Sequence, residues 1–342
     1  MPVPSTADIV HKVGVKRLMT DVLITVDTEM TSSLHRKGLR ATENVASSIF
    51  GRTSSGEFGV GWQMERMDEH GLKGVFFVDP MPALVYGEAL LADIVGPILA
   101  RGHDVQLHIH TEWLEWARSS PVGERRGRNI GDFSRADQLV LLRLARELIE
   151  RAGAPLPIAF RAGNFGANDD TISVLTELGI AWDSSVNADY LGRECRVSFD
   201  AERHMPIVHG GLIELPVSGL NDRPGHFRPA QICAISRWEM RAALDHAVQD
   251  GHALFNIVTH SFEMLSRDRQ RPNRAVTGRF EALCRKIADT SGLRTARIGE
   301  LDPTVLLGTD KARLASNRLR TIARHGEQAL ATWFYERKWR PA

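Results

Sequence analysis

Short β-rich segments alternate with amphipathic segments along most of this 342-residue chain. The segment at 21–30 shows the pattern most clearly, because its apolar and β-branched run ends in the carboxylates Asp27 and Glu29. Such a run is typical of a strand that is buried on both faces in a parallel sheet. Strands of this kind that alternate with helices predict an α/β fold, here one (β/α) barrel. The predicted strands span residues 22–27, 74–79, 104–110, 158–162, 181–184, 212–217, 253–260 and 295–298.

The predicted helices fill the intervals between these strands. The helix at 237–249 has the clearest signals, since Ser236 and Glu239 form a capping box and Gly251 can end the helix. Polar residues that could carry chemistry fall at or just after the C-terminal ends of the strands, which is where barrels gather their active sites. The other predicted helices span residues 88–100, 135–152, 170–178 and 276–290.

Three metal-capable side chains, His108, His110 and Glu112, end the third predicted strand. With the two-residue period of a strand, both histidines would point to the same face. Glu112 follows His108 by four positions and would return beside it if the chain turned into a helix there. Zinc accepts imidazole and carboxylate ligands together, and a catalytic site needs about three protein ligands. The run therefore predicts a metal site, and the alternative is an exposed histidine pair at a strand end.

The first strand supplies a second candidate cluster. Asp27 and Glu29 lie two residues apart and share one face of the strand. Beside a cation, two carboxylates divide naturally into a metal ligand and a general base that takes a proton from water. In isolation, such a pair is more often a solvated strand end or a helix cap.

Five motifs along residues 20–300 occur in an order that resembles one known family. That family is the polysaccharide deacetylases, which contain the NodB-homology domain of carbohydrate esterase family 4, and the chain resembles a divergent member of it. The resemblance implies a distorted (β/α) barrel of about seven strands, of the glycoside hydrolase and deacetylase kind. The motifs are Asp27-Thr-Glu29, Gly102-His-Asp-Val-Gln-Leu-His108, Phe160-Arg161-Ala-Gly-Asn-Phe-Gly166, Gly179-Ile-Ala-Trp-Asp183-Ser-Ser and Val258-Thr-His260-Ser.

The resemblance also implies roles for residues of the four motifs outside the histidine run. Asp27 matches the general base and Glu29 matches a metal ligand, although a threonine separates two residues that are adjacent in the family. Arg161 matches the arginine that orients the base through an ion pair. Asp183 falls in the motif that lines the groove, and His260 matches the histidine that acts as general acid.

The histidine run departs from the family pattern at one position. His108 matches the first of two metal-binding histidines, but the place of the second, four residues later, is occupied by Glu112. Either Glu112 or His110 takes that role, or the site binds metal poorly. Strand geometry favours His110 and spacing favours Glu112, and we favour Glu112.

The implied activity is the metal-dependent removal of an N-acetyl or other N-acyl group from a carbohydrate, with zinc as the expected metal. Amide hydrolysis needs a nucleophile, stabilisation of an oxyanion and a proton for the leaving amine. Asp27 would deprotonate a water activated by the metal, and His260 would protonate the amine. Two alternatives stay open: hydrolysis of another C–N bond, as in a ureide or a cyclic amide, and a non-catalytic carbohydrate-binding barrel.

Composition agrees with an ordinary enzyme that acts on a small molecule. The three cysteines are far apart and form no CxxC pair, which argues against a disulfide framework and a thiolate zinc site. The first residues lack the apolar stretch of a secretion signal, and no run approaches the ~20 apolar residues of a membrane span. We therefore expect a cytoplasmic protein with a carbohydrate or sugar-derived substrate and no nucleic-acid partner.

Three regions are predicted along the chain: an N-terminal extension at 1–19, the barrel at 20–305 and a basic helical tail at 306–342. From 311 to 342 the tail has eight Lys and Arg against two Glu, and its apolar residues recur with partial helical periodicity. An amphipathic helix of this kind could pack on the barrel, associate with another copy of the chain or lie on an anionic membrane surface.

Two long segments interrupt the alternation and are predicted to be loops that overhang the site, at 30–62 and 113–134. The second carries three arginines, and guanidinium groups suit bidentate contact with phosphate, so a phosphorylated or nucleotide-linked sugar is one hypothesis and a solvated charge cluster is the other. Aromatic residues near the motifs suggest either stacking on a sugar or packing in the core. The arginines are Arg125, Arg126 and Arg128, and the aromatic residues are Trp113, Trp116, Phe165 and Trp182.

Overall fold

A computed structural model describes residues 19–307 and 311–336, and a curled sheet of mainly parallel strands forms its centre. The strands are β1 (Thr20–Thr28), β2 (Arg52–Thr53), β3 (Gly56–Glu57), β4 (Val75–Val78), β5 (Asp104–Ile109), β6 (Ala159–Ala162), β7 (Trp182–Asp183), β8 (Ile207–His209), β9 (Leu212–Glu214), β10 (Gly219–Arg223), β11 (His226–Pro229), β12 (Leu254–His260) and β13 (Leu293–Thr295). The main sheet has the order β12-β1-β4-β5-β6-β7-β9-β8, and β13 also pairs with β1. The two remaining strand pairs, β2 with β3 and β10 with β11, are separate hairpins.

Seven strands of this sheet, from β12 to β9, run parallel, whereas β8 pairs with β9 in the antiparallel sense. The segment that follows β9 returns toward β12 and bonds to it. Ser218 N–H donates to the carbonyl of Asn256 over 3.0 Å, and the Asn256 side chain donates to the carbonyl of Leu215 over 3.0 Å. These bonds draw the two sides of the curl together. The predicted distorted (β/α) barrel of about seven strands is therefore confirmed.

The register of the parallel strands aligns polar side chains at one end of the sheet. Asp27 of β1 is opposite His260 of β12, and β4 and β5 end beside them. His108 of β5 is opposite Arg161 of β6. Residues that are far apart in the sequence therefore meet at the carboxyl edge of the barrel.

The helices pack around this sheet and bury apolar residues against it. The helix predicted at 237–249 is present, with both hydrogen bonds of the Ser236–Glu239 capping box and a left-handed Gly251 at its end. The helices are α1 (Ser32–Arg36), α2 (Ala41–Ser48), α3 (Val60–Asp68), α4 (Ala83–Tyr86), α5 (Ala89–Ala100), α6 (Arg135–Arg151), α7 (Asp169–Glu177), α8 (Arg237–Asp250), α9 (Arg274–Ala288), α10 (Pro303–Leu306) and α11 (Arg318–Ala331).

The prediction that residues 30–62 form a loop is wrong, because this segment contains α1, α2, the hairpin of β2 and β3 and the start of α3. Short-range bonds build these elements without a long periodic apolar pattern. The Asn44 side chain, for example, donates to the carbonyl of Thr31 over 3.0 Å and ties α2 to the end of β1. The segment at 113–134 is mainly irregular, as predicted, with short 3-10 turns near its two ends.

The tail helix α11 packs on the barrel through its polar face. Arg324 is buried, and its guanidinium bonds to the carboxylates of Asp222 over 2.7 Å and Glu239 over 3.1 Å. Leu319 and Ile322, on the other face, are each more than 60% exposed. The sequence periodicity alone would have placed the apolar face inward, so ion pairing rather than apolar burial decides the orientation.

Parts of the predicted terminal regions lie outside the described residues. These parts are the N-terminal extension up to residue 18, residues 308–310 and residues 337–342 of the tail. Within residues 19–307 and 311–336, no helix combines the length and the hydropathy needed to cross a membrane.

Replacing Arg324 with leucine should destabilise the protein by about 3–5 kcal/mol, because buried carboxylates would lose their partner. Leucine keeps much of the side-chain volume, so lost charge pairing should dominate the effect. Urea unfolding followed by circular dichroism measures the change. The matched control is Arg318→Leu at the exposed start of α11, which should change stability by less than about 0.5 kcal/mol. Equal effects in the two variants would show that the ion pairs do not hold the tail.

Candidate active site

The carboxyl ends of β1, β5, β6 and β12 surround a pocket of about 160 Å³. Five of the candidate catalytic and metal-binding residues from the sequence contribute to its lining, which is polar for the most part. These residues are Asp27, Glu29, His108, His110 and His260.

A buried ion pair lies at the base of the pocket. Arg161 Nη1 is 2.7 Å from Asp27 Oδ1, and both side chains are almost fully buried. The guanidinium also donates to the Thr25 hydroxyl over 2.8 Å and to the Ser184 hydroxyl over 3.0 Å. A buried charge is tolerated only when it is paired and hydrogen-bonded. The position of the Asp27 carboxylate is therefore set by its ion pair with Arg161.

Glu29, His108 and His110 form a group in which one ligand atom of each residue lies within 4.8 Å of the others. Glu29 Oε2 is 3.2 Å from His108 Nε2 and also contacts His110 Nε2. Burial opposes the charge of Glu29, but the two imidazoles hold the pKa of Glu29 well below its ordinary value. Burial likewise lowers the pKa of His110, but Glu29 and Glu112 raise it well above its ordinary value.

The outer nitrogen of each imidazole is engaged by another part of the protein. His108 Nδ1 lies 2.6 Å from the carbonyl oxygen of Arg161, and His110 Nδ1 lies 3.2 Å from Glu112 Oε2. Both Nε2 atoms consequently face Glu29. Glu112 thus lies behind His110 and is not one of the three grouped residues. The residue that joins Glu29 and His108 in the group is His110, and not the Glu112 that spacing suggested.

Backbone conformation at the end of β6 makes room for His110. A Cβ on Gly163 would lie 2.5 Å from the carbonyl oxygen of Ile109 and 2.8 Å from ring carbons of His110, so only glycine fits there. The next two residues, Asn164 and Phe165, have φ angles of 54° and 55°. Such left-handed residues other than glycine are strained and cluster at functional sites. Both line the pocket.

His260 lies across the pocket from the metal-capable group. Its Nε2 is 3.8 Å from Asp27 Oδ2, and its Nδ1 is 2.7 Å from Glu263 Oε1. Burial lowers the pKa of His260, but Glu263 and then Asp27 and Glu29 raise it to about 9. Sequence reasoning missed Glu263. The signal was its position three residues after His260, one turn away where the chain bends at the strand end.

Asp79, at the end of β4, was also missed. Its Oδ1 accepts hydrogen bonds from the backbone N–H groups of His110 over 3.3 Å and Met81 over 3.0 Å, while its buried Oδ2 has no partner among the described residues. Burial raises its pKa to about 7, against the opposing effect of the two imidazoles nearby. The sequence did indicate Asp79 as a candidate site residue, because it ends a predicted strand as Asp27 does.

Asp183 does not line the pocket, contrary to its place in the predicted groove. It is fully buried beside Glu214 of β9, its register partner. Burial and the neighbouring carboxylate raise the pKa of Glu214 well above its ordinary value, so the pair shares a proton. The Ser185 hydroxyl donates to Asp183 over 2.7 Å and accepts from the Ala162 N–H over 2.9 Å. Asp183 therefore acts on the site only by positioning β6.

The arginine-rich loop places only one guanidinium at the pocket. Arg125 pairs with Asp137 over 2.7 Å, and Arg126 donates to the carbonyl oxygens of Gly123 and Arg125. Arg128 lines both this pocket and an adjoining groove of about 540 Å³. At the pocket the hypothesis of a three-arginine phosphate site is therefore reduced to Arg128, although Arg126 also lines the adjoining groove.

The aromatic residues near the motifs divide between core and pocket. Trp113 and Trp182 are buried in the core, and Trp116 packs against the His35 ring. Phe165 lines the pocket beside Tyr190, with 5.0 Å between the ring centroids. Of the four aromatic residues predicted from the sequence, only Phe165 lines the pocket. Stacking on a sugar is therefore open to Phe165 together with Tyr190.

Comparisons with known proteins give likeness in structure alone. No protein-family model matches the sequence, and no curated protein is similar to it. A protein from Mycobacterium smegmatis assigned as a polysaccharide deacetylase has a TM-score of 0.55 at 18% identity, over 87% of this chain and 91% of that one. A 4-alpha-glucanotransferase from Thermococcus litoralis has a TM-score of 0.52 at 11% identity, over 88% of this chain and 42% of that one. A family 4 carbohydrate esterase from Streptomyces lividans, in complex with acetate, has a TM-score of 0.40 at 13% identity, over 88% of this chain and all of that one.

The likeness to the first two structures concerns the fold. It agrees with the barrel that the motifs implied, and it leaves the chemistry to the side chains, since one fold supports several activities. The chain therefore has the (β/α) barrel fold found in polysaccharide deacetylases.

Replacing Glu263 with glutamine should lower the pKa of His260 from about 9 toward its ordinary value of about 6.5. The folded pKa lies above the unfolded one, so the protonated ring stabilises the fold below about pH 6.5, and this stabilisation is lost as the pH rises through about 9. NMR titration of the ring C2 proton measures the shift. Glu147→Gln, on the exposed face of α6, should leave the His260 titration unchanged. An unshifted titration in Glu263→Gln would contradict the assignment.

Proposed function

We propose that this chain is a metal-dependent hydrolase that removes an N-acetyl or other N-acyl group from a carbohydrate. One observation carries the proposal: a carboxylate and two imidazoles, the group of Glu29, His108 and His110, lie in the same pocket as an arginine-paired aspartate and a histidine of raised pKa. Amide hydrolysis uses each of these groups, and no simpler structural need explains their convergence.

The residues present fit a divalent metal. Tetrahedral ligands at the usual zinc distances are about 3.3 Å apart, and Glu29 Oε2 is 3.2 Å from His108 Nε2. The buried Nε2 of His110 has no hydrogen-bond partner of good geometry. In metal sites, hydrogen bonds from the outer nitrogens orient the ligand imidazoles. Here the acceptors are the carbonyl of Arg161 for His108 and the carboxylate of Glu112 for His110. Zinc is the metal that this donor set suits best.

A bound cation would polarise the amide carbonyl and lower the pKa of water in the pocket. The protein supplies the proton transfers. Arg161 holds one oxygen of Asp27, so the other, Oδ2, remains toward the pocket and can take a proton from the attacking water.

His260 supplies the second proton transfer. With a pKa of about 9 its imidazole is protonated at neutral pH and can donate from Nε2 to the leaving amine. Glu263 fixes the ring through Nδ1 and stabilises its charge. The 3.8 Å between His260 Nε2 and Asp27 Oδ2 brings acid and base to the same reacting group.

The pocket supports a small acyl group next to a sugar ring. Its volume of about 160 Å³ suits an acetyl group better than a long acyl chain. Phe165 and Tyr190 provide flat apolar surface on one side, and Asn164, Gln231 and Arg128 provide polar contacts. Cleavage of a ureide or cyclic amide stays as the alternative within enzymes. We set aside the alternative of a binding barrel without catalysis, because in the proposed site His110 takes the metal-binding role for which Glu112 was in doubt. The cytoplasmic location stays a prediction.

Zinc-loaded protein should release acetate from at least one member of a panel of N-acetylated sugars, and Asp27→Asn should reduce turnover by roughly 10²–10⁴-fold while zinc is retained. His108→Ala should lose both the zinc ion of the pocket and turnover. Acetate assay and elemental analysis measure the two quantities, with Asp170→Asn on exposed α7 as the control. Zinc loss in Asp27→Asn would reverse the roles of the two carboxylates. Zinc-replete protein without acetate release would instead favour the ureide or cyclic amide.

His110→Ala should abolish zinc binding in the pocket, whereas Glu112→Gln should weaken it by about 10–100-fold, because glutamine can still bond to His110 Nδ1 but lacks the carboxylate charge that makes the ring a stronger ligand. Competition with a chelator dye measures both affinities. The opposite order would make Glu112 the ligand.

A further inference from the structure

A second group of metal-capable side chains lies at the end of the barrel away from the pocket. His246, Asp250 and His252 each place one ligand atom within 4.8 Å of the others. They come from the end of α8 and the turn that leads into β12, whereas the pocket is at the opposite, carboxyl end of β12. None of these residues takes part in the proposed deacetylation.

Local structure brings the three side chains together. His246 and Asp250 are four residues apart on α8, and neighbours at this spacing share one helix face; His246 Nε2 is 3.6 Å from Asp250 Oδ2. Gly251 ends the helix with φ 68° and ψ 43°, a left-handed conformation that turns the chain back. His252 then returns over the last turn, where its N–H donates to the carbonyl of Ala247 and its carbonyl accepts from the Thr20 hydroxyl.

The His252 ring is the observation that points to a ligand. It is 5% exposed, and its Nε2 has no hydrogen-bond partner among the described residues. An unpartnered buried polar atom is unfavourable unless something else satisfies it. Imidazole nitrogens are the commonest metal ligands in proteins, so a metal ion would satisfy this atom.

Further donors surround this ring. The His246 and His252 centroids are 5.3 Å apart, and the His204 centroid is 6.1 Å from that of His252. The carbonyl oxygen of Ala312, in the segment that leads to the tail helix, is 2.9 Å from His246 Nε2. Two imidazoles and a carboxylate, with a carbonyl oxygen at hand, form a donor set that zinc accepts.

We propose that His246, Asp250 and His252 form a second zinc site, which joins the end of α8, the start of β12 and the segment at Ala312. The site is structural, because it lies at the amino ends of the strands, where barrels place residues that serve stability rather than catalysis. It is independent of the proposed deacetylase activity, since it shares no residue with the pocket.

Zinc content after dialysis tests the proposal. Wild-type protein should retain two zinc ions per chain, and Asp250→Asn and His252→Asn should each retain one, with the second ion bound at least about tenfold more weakly. Asp250 is exposed, so its substitution leaves folding intact even where that of the buried histidine does not. His325→Ala, at an exposed histidine of α11, is the control and should keep two.

A variant that loses the metal site of the pocket distinguishes the second zinc site from the proposed deacetylase activity. His108→Ala should keep one zinc ion, and acetate release should persist in Asp250→Asn. Cobalt substituted into His108→Ala should give visible absorption that Asp250→Asn in the same background removes. A zinc content that Asp250→Asn leaves unchanged, or no metal in folded His108→Ala, would overturn the second site, whatever the outcome of the acetate assay.

Discussion

The buried guanidinium of Arg161 is the interaction on which the rest of the site depends. It belongs to β6, yet it bonds to Thr25 and Asp27 of β1 and to Ser184 after β7, and it lies 4.4 Å from the ring centroid of Phe77 in β4. Its own carbonyl accepts from His108 of β5. One residue therefore connects five neighbouring parts of the barrel, and a charge buried so deeply tolerates little displacement of any partner. The proposed base, Asp27, and a metal-capable histidine, His108, are positioned by the same residue.

Much of the fold was predictable because parallel strands have a strong local signature. All eight predicted strands are present, although the last is shifted to Leu293–Thr295. The carboxyl ends of such strands meet at one edge, so Asp27, His108, Arg161 and His260 could be placed near one another without coordinates. The hairpins and the small helices of residues 30–62 were missed, since side-chain bonds and turns specify them and leave no periodic pattern.

The finer features of the site depended on where single strands end. β5 ends at Ile109 and a 3-10 turn follows, so His110 keeps the direction of the strand while Glu112 turns behind it. Spacing alone could not decide between the two. Asp183 was misplaced for a related reason, because on a two-residue strand its side chain faces the buried Glu214 and not the pocket. Glu263 and Asp79 were identified only from the structure, because their partners are the ring or the backbone groups of residues that the sequence had already identified.

The pairing of β1 with β12 has a consequence for how the protein folds. The Thr25 hydroxyl bonds to the carbonyl of Ile257, 232 residues further along the chain. Contacts of such separation form slowly, because a long loop must close before they stabilise anything. A growing chain at the ribosome holds Asp27 from early on but lacks its partner strand until most of the protein has been made. Asp27 and His260 thus become neighbours only when the barrel closes, and partly made chains contain no working fragment of the site.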